Sequence, residues 1–322
     1  SVLIAAVTTN VRDNSISYNS SGAFFATSLS TSGSGQIHKS TNNGSAWSLV
    51  NSGLGWTPVR SYIDSNNLLQ ITAGDYHYSF NTSNNTLSPY HSLPANCQKI
   101  TTWYPMPRRN GNISFIGQSY SGNALTLCEM RGSDGNINFI FTFNDKWSGG
   151  NQFAATETPD GFLHVFKNGH TTPANWNYTN VSKTYTQSTT INLLTNRSLS
   201  GISAASSLNG TVYATITELV PNSRHVLWFI RMDNNTKAFS QPKVIANYSD
   251  MNVSEAEIVV DSATSNLFIF FDNFTYSFNA NTFCSVIASV DGGNTWSQRI
   301  NLSSANCLKP EPAGRFAWVN GL

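Results

Sequence analysis

The sequence has few charged residues and no long apolar run. Charged residues make up 11% of the 322 residues, and the net charge is +1, whereas charged residues are about 25% of typical soluble domains. No basic field therefore indicates a nucleic-acid partner, and no acidic field indicates a cationic one. Because no apolar run reaches about 18 residues, no transmembrane helix is predicted. Hydrophobic residues at 39% and aromatic residues at 12% suffice for a folded core.

The sequence also lacks the short motifs of common enzyme and metal sites. It contains no G-x-S-x-G, H-E-x-x-H, P-loop or dinucleotide-binding fingerprint. The acids lack the spacing of a calcium loop. His164 and His170 flank one predicted turn, but no third ligand is near them in the sequence. We therefore expect no metal and no cofactor.

Cysteine is scarce, with only four residues, and they fall into two local pairs. The spacing favours the disulfides Cys97–Cys128 and Cys284–Cys307, each inside one repeat of a secreted chain. Buried free thiols are the alternative. Sequence alone does not separate the three possible connectivities.

Asparagine, serine and threonine are abundant instead, and they create many N-x-[S/T] triplets. These exceed the roughly nine that such a composition gives by chance. They fall in predicted turns or exposed strands, where N-glycosylation requires them, so we predict a secreted or cell-surface protein with covalent N-glycans. The candidate sites are Asn19, Asn43, Asn81, Asn84, Asn112, Asn177, Asn180, Asn196, Asn209, Asn234, Asn247, Asn252, Asn273 and Asn301.

Two stretches of the chain, residues 40–47 and 289–296, fit one pattern, S-x-[D/N]-x-G-x-x-W. Asp or Asn can hydrogen-bond its own turn, Gly supplies a positive φ, and Trp opens the next strand. The pattern resembles the Asp box of the sialidase-like (BNR-repeat) β-propeller family. The matching positions are Ser40, Asn42, Gly44 and Trp47 in the first stretch, and Ser289, Asp291, Gly293 and Trp296 in the second.

A polar turn followed by an alternating apolar strand recurs about every 45 to 56 residues, which suits a four-stranded propeller blade. Each repeat begins with a short apolar strand before the turn, and it ends with an aromatic or apolar residue that is usually followed by Ser. The turns are Ser21-Gly22, Asn66-Asn67, Asn110-Gly111, Asp160-Gly161, Asn209-Gly210 and Ser265-Asn266. The first strands include residues 59–63, 100–104, 153–156, 202–205 and 258–260. The closing residues are Trp47, Leu87, Trp147, Tyr185, Phe239 and Trp296.

This repeat predicts an all-β fold, a six-bladed β-propeller of four-stranded antiparallel blades over residues 11–308. Seven blades with a composite terminal blade are the alternative. Residues 1–10, whose apolar part we expect to be a β-strand rather than a signal-peptide remnant, and residues 309–322 are left over as terminal strands. These either close the ring or pair with a neighbouring subunit, and head-to-tail pairing would give a filament.

Resemblance to sialidases implies three arginines that clamp a carboxylate, a Tyr nucleophile activated by Glu, and an Asp acid. The family's Arg-Ile-Pro motif is missing, and residues 57–60 carry similar residues in the wrong order. Arg60 and Asp64 fall on a predicted inner strand. Glu255 and Glu257 share one predicted strand face, with Asp261 at the turn, and we read them as solvated edge charges. We therefore expect no catalytic site.

Resemblance to fungal fucose-binding propellers implies a lectin, in which Trp or Tyr stacks on sugar between blades. Candidate stacking residues do not recur at a fixed register, so packed aromatics between blades are the simpler interpretation. They are Trp56, Trp103, Tyr104, Trp176 and Trp228. The sequence thus favours a non-catalytic, self-associating structural protein of extracellular material; the alternatives are a propeller lectin and a divergent sialidase-like hydrolase.

Overall fold

A computed structural model of the chain consists of β-strands and turns, and no helix occurs in the residues it describes. The described residues are 15–29, 34–42, 44–56, 59–64, 66–73, 76–92, 104–108, 112–118, 124–130, 137–146, 153–168, 176–182, 184–188, 190–195, 199–220, 224–247, 252–261, 264–274 and 282–303. The chain divides into two compact units, residues 1–143 and 144–322. Among the described residues no helix is long and apolar enough to cross a membrane.

The first unit contains three antiparallel sheets, numbered here I to III, and the last strand of sheet III continues past residue 143, where this unit ends, to Lys146. Sheet I has the strand order β1-β2-β3-β4, sheet II has β5-β6-β7-β8 with a further strand β9 on β7, and sheet III has β10-β11-β12-β13. The strands are β1 Ser15–Tyr18, β2 Phe24–Leu29, β3 Ser34–Ser40, β4 Ser48–Trp56, β5 Val59–Ile63, β6 Leu68–Ala73, β7 Tyr76–Asn81, β8 Thr86–Leu87, β9 His91–Ser92, β10 Tyr104–Pro107, β11 Ile113–Gln118, β12 Ala124–Met130 and β13 Ile137–Lys146.

The second unit contains sheets IV to VI, each of four antiparallel strands in chain order. Sheet IV is β14 to β17, sheet V is β18 to β21, and sheet VI is β22 to β25. The strands are β14 Phe153–Glu157, β15 Leu163–Asn168, β16 Trp176–Val181, β17 Ile191–Leu194, β18 Leu199–Ser206, β19 Val212–Val220, β20 Arg224–Met232, β21 Lys243–Asn247, β22 Asn252–Val260, β23 Leu267–Phe274, β24 Thr282–Ser289 and β25 Ile300–Ser303.

The first strands of the sheets follow the sequence prediction. Residues 59–63 are β5, and residues 153–156, 202–205 and 258–260 lie in β14, β18 and β22. Residues 100–103 lie outside the described residues, as do the terminal segments 1–10 and 309–322. Each described sheet is therefore built from consecutive strands of one stretch of chain.

The predicted polar turns supply the left-handed backbone that a tight hairpin needs. Gly22, Gly161 and Gly210 have φ between 82° and 84°, and Asn67 has φ 58°. In the sixth turn Ser265, not Asn266, takes the left-handed conformation, with φ 60°. Asn110 and Gly111 lie outside the described residues.

Large apolar side chains fill the space on the sheet faces. In the first unit one cluster joins the strands of sheets I and II. In the second unit one cluster joins sheets IV and V, and another joins sheets V and VI. Such layered burial is the main source of stability in an all-β chain with few charges. The fully buried aromatic side chains include Phe25, Phe80, Phe115, Phe143, Phe153, Phe166, Trp176 and Phe271.

Candidate functional site

The first Asp-box turn is closed by side chains onto the backbone. The Ser40 Oγ accepts a hydrogen bond from the Gly44 amide at 2.9 Å and donates to the Asn42 Oδ1 at 2.9 Å. The Asn42 Oδ1 also accepts from the Ala46 amide at 2.8 Å. The Trp47 indole N–H donates to the Gly44 carbonyl at 3.0 Å. These bonds satisfy the turn internally, so its polar residues serve the backbone.

The second Asp-box turn repeats this pattern atom for atom. The Ser289 Oγ accepts from the Gly293 amide at 2.8 Å and donates to the Asp291 Oδ1 at 2.8 Å. The Asp291 carboxylate accepts from the Thr295 amide at 2.9 Å. The Trp296 indole N–H donates to the Gly293 carbonyl at 3.2 Å. The shared sequence pattern therefore encodes one turn structure.

The closing residue predicted for the fourth repeat is wrong. Tyr185 lies inside the turn, with φ 63°. The residue that forms an isolated antiparallel β-bridge with Val181 is Gln187. Phe239 bridges Met232 in the same way in the fifth repeat, as predicted. The aromatic character of Tyr185 misled the prediction, because the true marker of the position is the serine that follows it.

That serine makes a repeated contact, which we call the serine clip. The serine Oγ accepts a hydrogen bond from the backbone amide of a residue in the preceding strand. The backbone amide of the serine donates to the carbonyl of that same strand residue. The clips join Ser88 to Ser79, Ser188 to Asn180, Ser240 to Arg231 and Ser297 to Ala288, with Oγ distances of 2.9, 3.0, 3.1 and 3.0 Å and carbonyl distances of 2.8, 2.9, 2.7 and 2.8 Å.

Some candidate glycosylation sites have a structural role in the fold. Asn19 is 5% exposed; its Nδ2 donates to the Thr82 Oγ1 at 3.2 Å, and its Oδ1 accepts from the Ala23 amide at 2.8 Å. The Nδ2 of Asn112 donates to the Glu129 Oε1 at 2.6 Å. Because a glycan is attached at Nδ2, a glycan on Asn19 is incompatible with this packing.

Other candidate glycosylation sites present their side chains to solvent or lie outside the described side chains. Exposed asparagines are Asn84, Asn209, Asn247 and Asn301, and partly buried ones are Asn81, Asn180 and Asn234. Asn177 is buried. The side chains of Asn43, Asn196, Asn252 and Asn273 are outside the description. Occupancy stays a prediction at every position.

The cysteines in the described residues are bonded. Cys128 and Cys284 are both in disulfides, and no described cysteine is free. Cys97 and Cys307 lie outside the described residues, so the predicted pairing stays a prediction.

Two candidate sialidase residues, Arg60 and Asp64, lie on β5 and directly after it. Arg60 lies on β5, and its side chain is outside the description. The Asp64 carboxylate accepts hydrogen bonds from the Asn66 amide, the Leu68 amide and the Gln70 Nε2, at 2.8, 3.0 and 2.7 Å. Asp64 therefore holds the turn between β5 and β6.

Two further charged residues, Glu257 and Arg108, are buried. Glu257 is 4% exposed, and its neighbours Ala256 and Ile258 are buried as well, so both faces of β22 are covered at this point. The prediction that Glu257 is a solvated edge charge is therefore wrong. Arg108 is also buried and lies 3.7 Å from the Glu129 carboxylate, with a hydrogen bond to Ser114 at 3.0 Å.

His164 belongs to a buried hydrogen-bonded network. Its Nδ1 lies 2.7 Å from the Tyr178 hydroxyl, and its Nε2 lies 2.9 Å from the Thr158 hydroxyl. Burial lowers the pKa of His164 to about 4 and raises the pKa of Tyr178 to about 12. His170 is outside the described residues, among which no group of three His, Cys, Asp or Glu residues could hold a metal ion.

Of the candidate stacking residues, two have described side chains: Trp176, which is fully buried, and Trp228, which is partly exposed. Trp176 is 0% exposed and packs on Phe166, with ring centroids 5.8 Å apart. Trp228, on β20, is only partly buried against the core of sheets IV and V. The side chains of Trp56, Trp103 and Tyr104 lie outside the description. Trp228 is therefore the candidate with both a described side chain and access to solvent.

A buried glutamate fixes the orientation of Trp228. The Trp228 indole N–H donates to the Glu218 Oε2 at 2.6 Å, and Glu218 on β19 is 4% exposed. Trp228 pairs with Ile216 across the two strands, so Glu218 lies two residues further along the same face. A hydrogen bond to a buried carboxylate is short and strong. Sequence analysis missed Glu218, because only the register of β19 and β20 brings it to Trp228.

Comparisons with known proteins show the fold. No family model matches the sequence, and no curated protein matches it. The BP39L lectin from Burkholderia pseudomallei is similar in structure, with a TM-score of 0.67 and 10% identity over 91% of this chain and 86% of that one. The polysaccharide lyase PL25-Ulvanlyase, bound to -[GlcA(1-4)Rha3S]-, has a TM-score of 0.63 and 11% sequence identity over 88% of this chain and 82% of that one.

AofleA from Arthrobotrys oligospora gives a TM-score of 0.55 and 10% identity over 92% of this chain and 87% of that one. With the six antiparallel sheets of the described residues, these likenesses show that the chain is an all-β protein with the β-propeller fold, as the sequence repeat predicted. Six blades fit the sheets, and the seven-blade alternative stays open.

Proposed function

We propose that this protein is a non-catalytic, carbohydrate-binding β-propeller of the Asp-box type. The observation that carries the proposal is the partly exposed Trp228 indole, held by the buried Glu218 carboxylate at 2.6 Å. The matching hydrogen bonds of the two Asp-box turns support the type.

The chemistry of this pair suits a sugar. An aromatic face offers apolar contact to the C–H groups of a pyranose ring, while its polar edge is already hydrogen-bonded. Because Glu218 fixes the indole in place, little conformational entropy is lost when a ligand stacks on it.

The structural neighbours agree with this class of ligand. One of them is a lectin and another is a polysaccharide lyase bound to an oligosaccharide. At 10% and 11% identity they supply no residue assignment, so the proposal depends on Trp228 and Glu218 themselves. Secretion and N-glycosylation, which the sequence predicts, are part of the same proposal. A secreted protein would meet the sugars of cell surfaces and extracellular matrices.

The non-catalytic part of the proposal is supported by the use of Asp64 as a turn residue, with three hydrogen bonds to its carboxylate. Turnover of a fluorogenic sialoside that is lost in Arg60→Ala would overturn this part.

A glycan array and titration calorimetry with the strongest array ligand test the binding. We expect Trp228→Ala to weaken binding about fivefold or more, since loss of aromatic stacking costs on the order of 1 kcal/mol or above. Trp228→Phe should retain part of the affinity. Trp176→Phe is the matched control, because that ring is fully buried. Unchanged affinity in Trp228→Ala would contradict the proposal.

Self-association is a second candidate function, favoured by the last strand of sheet VI. On β25, Ile300 and Leu302 are exposed and lie on one face of the strand. An apolar outer strand is a template for pairing with another chain. Sedimentation of native material separates a polymer from a monomer.

A further inference from the structure

Sheet II departs from the four-stranded repeat of the other described sheets. Its outer position is shared by two short strands, which both pair with β7. β8 pairs at one end of β7, through Phe80 with Leu87, and β9 pairs at the other end, through Tyr76 with Ser92. The connection between β8 and β9 carries Tyr90. An insertion into one repeat is a common position for a binding surface.

Two exposed tyrosines form a corner at this insertion, which we call the tyrosine corner. Tyr90 is 58% exposed and Tyr76 is 39% exposed. Their ring centroids are 4.8 Å apart, and the ring planes meet at 70°. The buried Tyr78 lies 6.1 Å from Tyr90 and supports it from the sheet. The corner is thus a pair of aromatic rings that contact each other and are open to solvent.

The segment that carries the tyrosine corner is polar, and its charged contact comes from outside it, from Lys39 of sheet I, which donates to the Thr82 carbonyl and the Asn85 Oδ1, both at 3.3 Å. Residues 76–92, which comprise β7, β8, β9 and their connections, contain no Asp, Glu, Lys or Arg. Hydroxyl, amide and imidazole groups are exposed beside the rings, including those of Ser92 and His91. A charged partner finds no complementary charge in this segment. Aromatic faces bordered by hydrogen-bonding groups match a neutral sugar, which has apolar C–H faces and a rim of hydroxyls.

We propose that Tyr76 and Tyr90 form a second carbohydrate-binding surface, which takes a neutral pyranose of an oligosaccharide or polysaccharide. One ring stacks on the C–H face of the sugar, and the other ring, at 70° to it, borders the sugar edge. This inference rests on the proposed function but uses a different sheet and different residues, so the two can fail separately.

The test uses the full chain and neutral hexasaccharides of β-1,4-glucan, β-1,3-glucan and α-mannan as probes, with affinity measured by calorimetry. We expect Tyr90→Ala and Tyr76→Ala each to weaken binding of at least one probe about fivefold to tenfold. Tyr90→Phe keeps the ring and should bind as the unaltered protein does. Phe139→Ala is the control, since Phe139 is another exposed aromatic residue of the first unit and should change nothing.

The outcomes separate the two proposals. If Trp228→Ala abolishes binding and Tyr90→Ala leaves every affinity unchanged, the tyrosine corner is overturned and the proposed function stands. If Tyr90→Ala weakens binding while Trp228→Ala does not, the corner stands without Trp228. A protein that binds none of the probes, or whose Tyr90→Ala variant changes only its oligomeric size, would overturn the corner as a sugar site. Because Tyr90 is exposed, its variants should keep the unfolding temperature of the unaltered protein.

Discussion

In sheets IV and VI, the turn after the third strand has the same place in the sheet but different side chains. Sheet VI uses the full Asp box, with Asp291 bonded to its own turn and Trp296 bonded to the Gly293 carbonyl. Sheet IV has Gln187 at the position of the tryptophan. Both nevertheless keep the serine clip, through Ser297 and Ser188. These two turns therefore share the clip, and the Asp box of sheet VI is an addition to it. In the Asp box of sheet I, the Ser48 Oγ instead donates to the Lys39 carbonyl at 3.3 Å.

The Asp box of sheet VI also contacts sheet V, which explains one use of the addition. Trp296 lies against Phe229, with ring centroids 5.2 Å apart, and the Gly292 carbonyl accepts a hydrogen bond from Arg231 at 3.1 Å. The turn thus packs on sheet V as well as connecting the last two strands of sheet VI. A glycine at position 293 permits this approach.

The largest effect is expected from Gly293→Ala. A Cβ at this position would lie 2.3 Å from two ring atoms of Phe229, and the backbone has φ 90°. We expect a loss of about 3 kcal/mol in the free energy of unfolding, from overpacking and left-handed strain together. Urea denaturation measures it.

Gly292→Ala is the matched control for that variant. Its φ is 69°, but the nearest atom to a new Cβ is the Arg231 Nη1 at 3.3 Å, so we expect only the strain of about 1 kcal/mol. Combining Gly293→Ala with Phe229→Leu should cost less than the sum of the two single changes. Equal losses at positions 292 and 293 would show that packing on Phe229 is unimportant.

The serine clips give the next largest effect. Replacing the serine with alanine removes the acceptor of a backbone amide, and we expect a loss of about 1 kcal/mol for each of Ser88, Ser188 and Ser240. Ser297→Ala should cost less, because that clip is exposed to water. Thermal unfolding of the four variants compares sheets with and without an Asp box. Ser45→Ala, an exposed serine of the first Asp-box turn, is the control, and a loss there equal to that of Ser188→Ala would contradict the ranking.

The repeat itself was predictable from sequence because its signals are local. A polar turn with Gly or Asn followed by alternating apolar residues identified Gly22, Asn67, Gly161 and Gly210 as left-handed turn residues. The two Asp boxes were equally readable, since each is complete within eight consecutive residues. Local chemistry was therefore enough for the all-β fold.

The candidate sites depend on non-local pairing, which the sequence does not carry. Glu218 meets Trp228 only through the register of β19 with β20, and Tyr76 meets Tyr90 only because β9 returns to β7. Glu257 is buried together with both of its neighbours, Ala256 and Ile258, so other parts of the chain cover both faces of β22 there. The sequence of one strand does not show whether distant parts of the chain cover its faces, and this is why the prediction of a solvated Glu257 was wrong.

The smallest expected effect is a difference between the two Asp boxes in how they contribute to the pH dependence of the unfolding temperature. Hydrogen bonds from the Thr295 hydroxyl and amide, and from the Ser289 hydroxyl, hold the pKa of Asp291 well below its ordinary value. As the pH falls below about 4, the unfolded chain therefore takes up a proton at Asp291 before the folded chain does, and stability is lost. Asn42 in the first box does not titrate. We expect Asp291→Asn to flatten the fall in unfolding temperature between about pH 4 and pH 2, and Asn42→Asp to steepen it. Asp160 and Asp233, whose pKa values are also lowered, are unchanged in both variants, so parallel profiles for the three proteins would mean that the Asp291 hydrogen bonds are not specific to the folded turn.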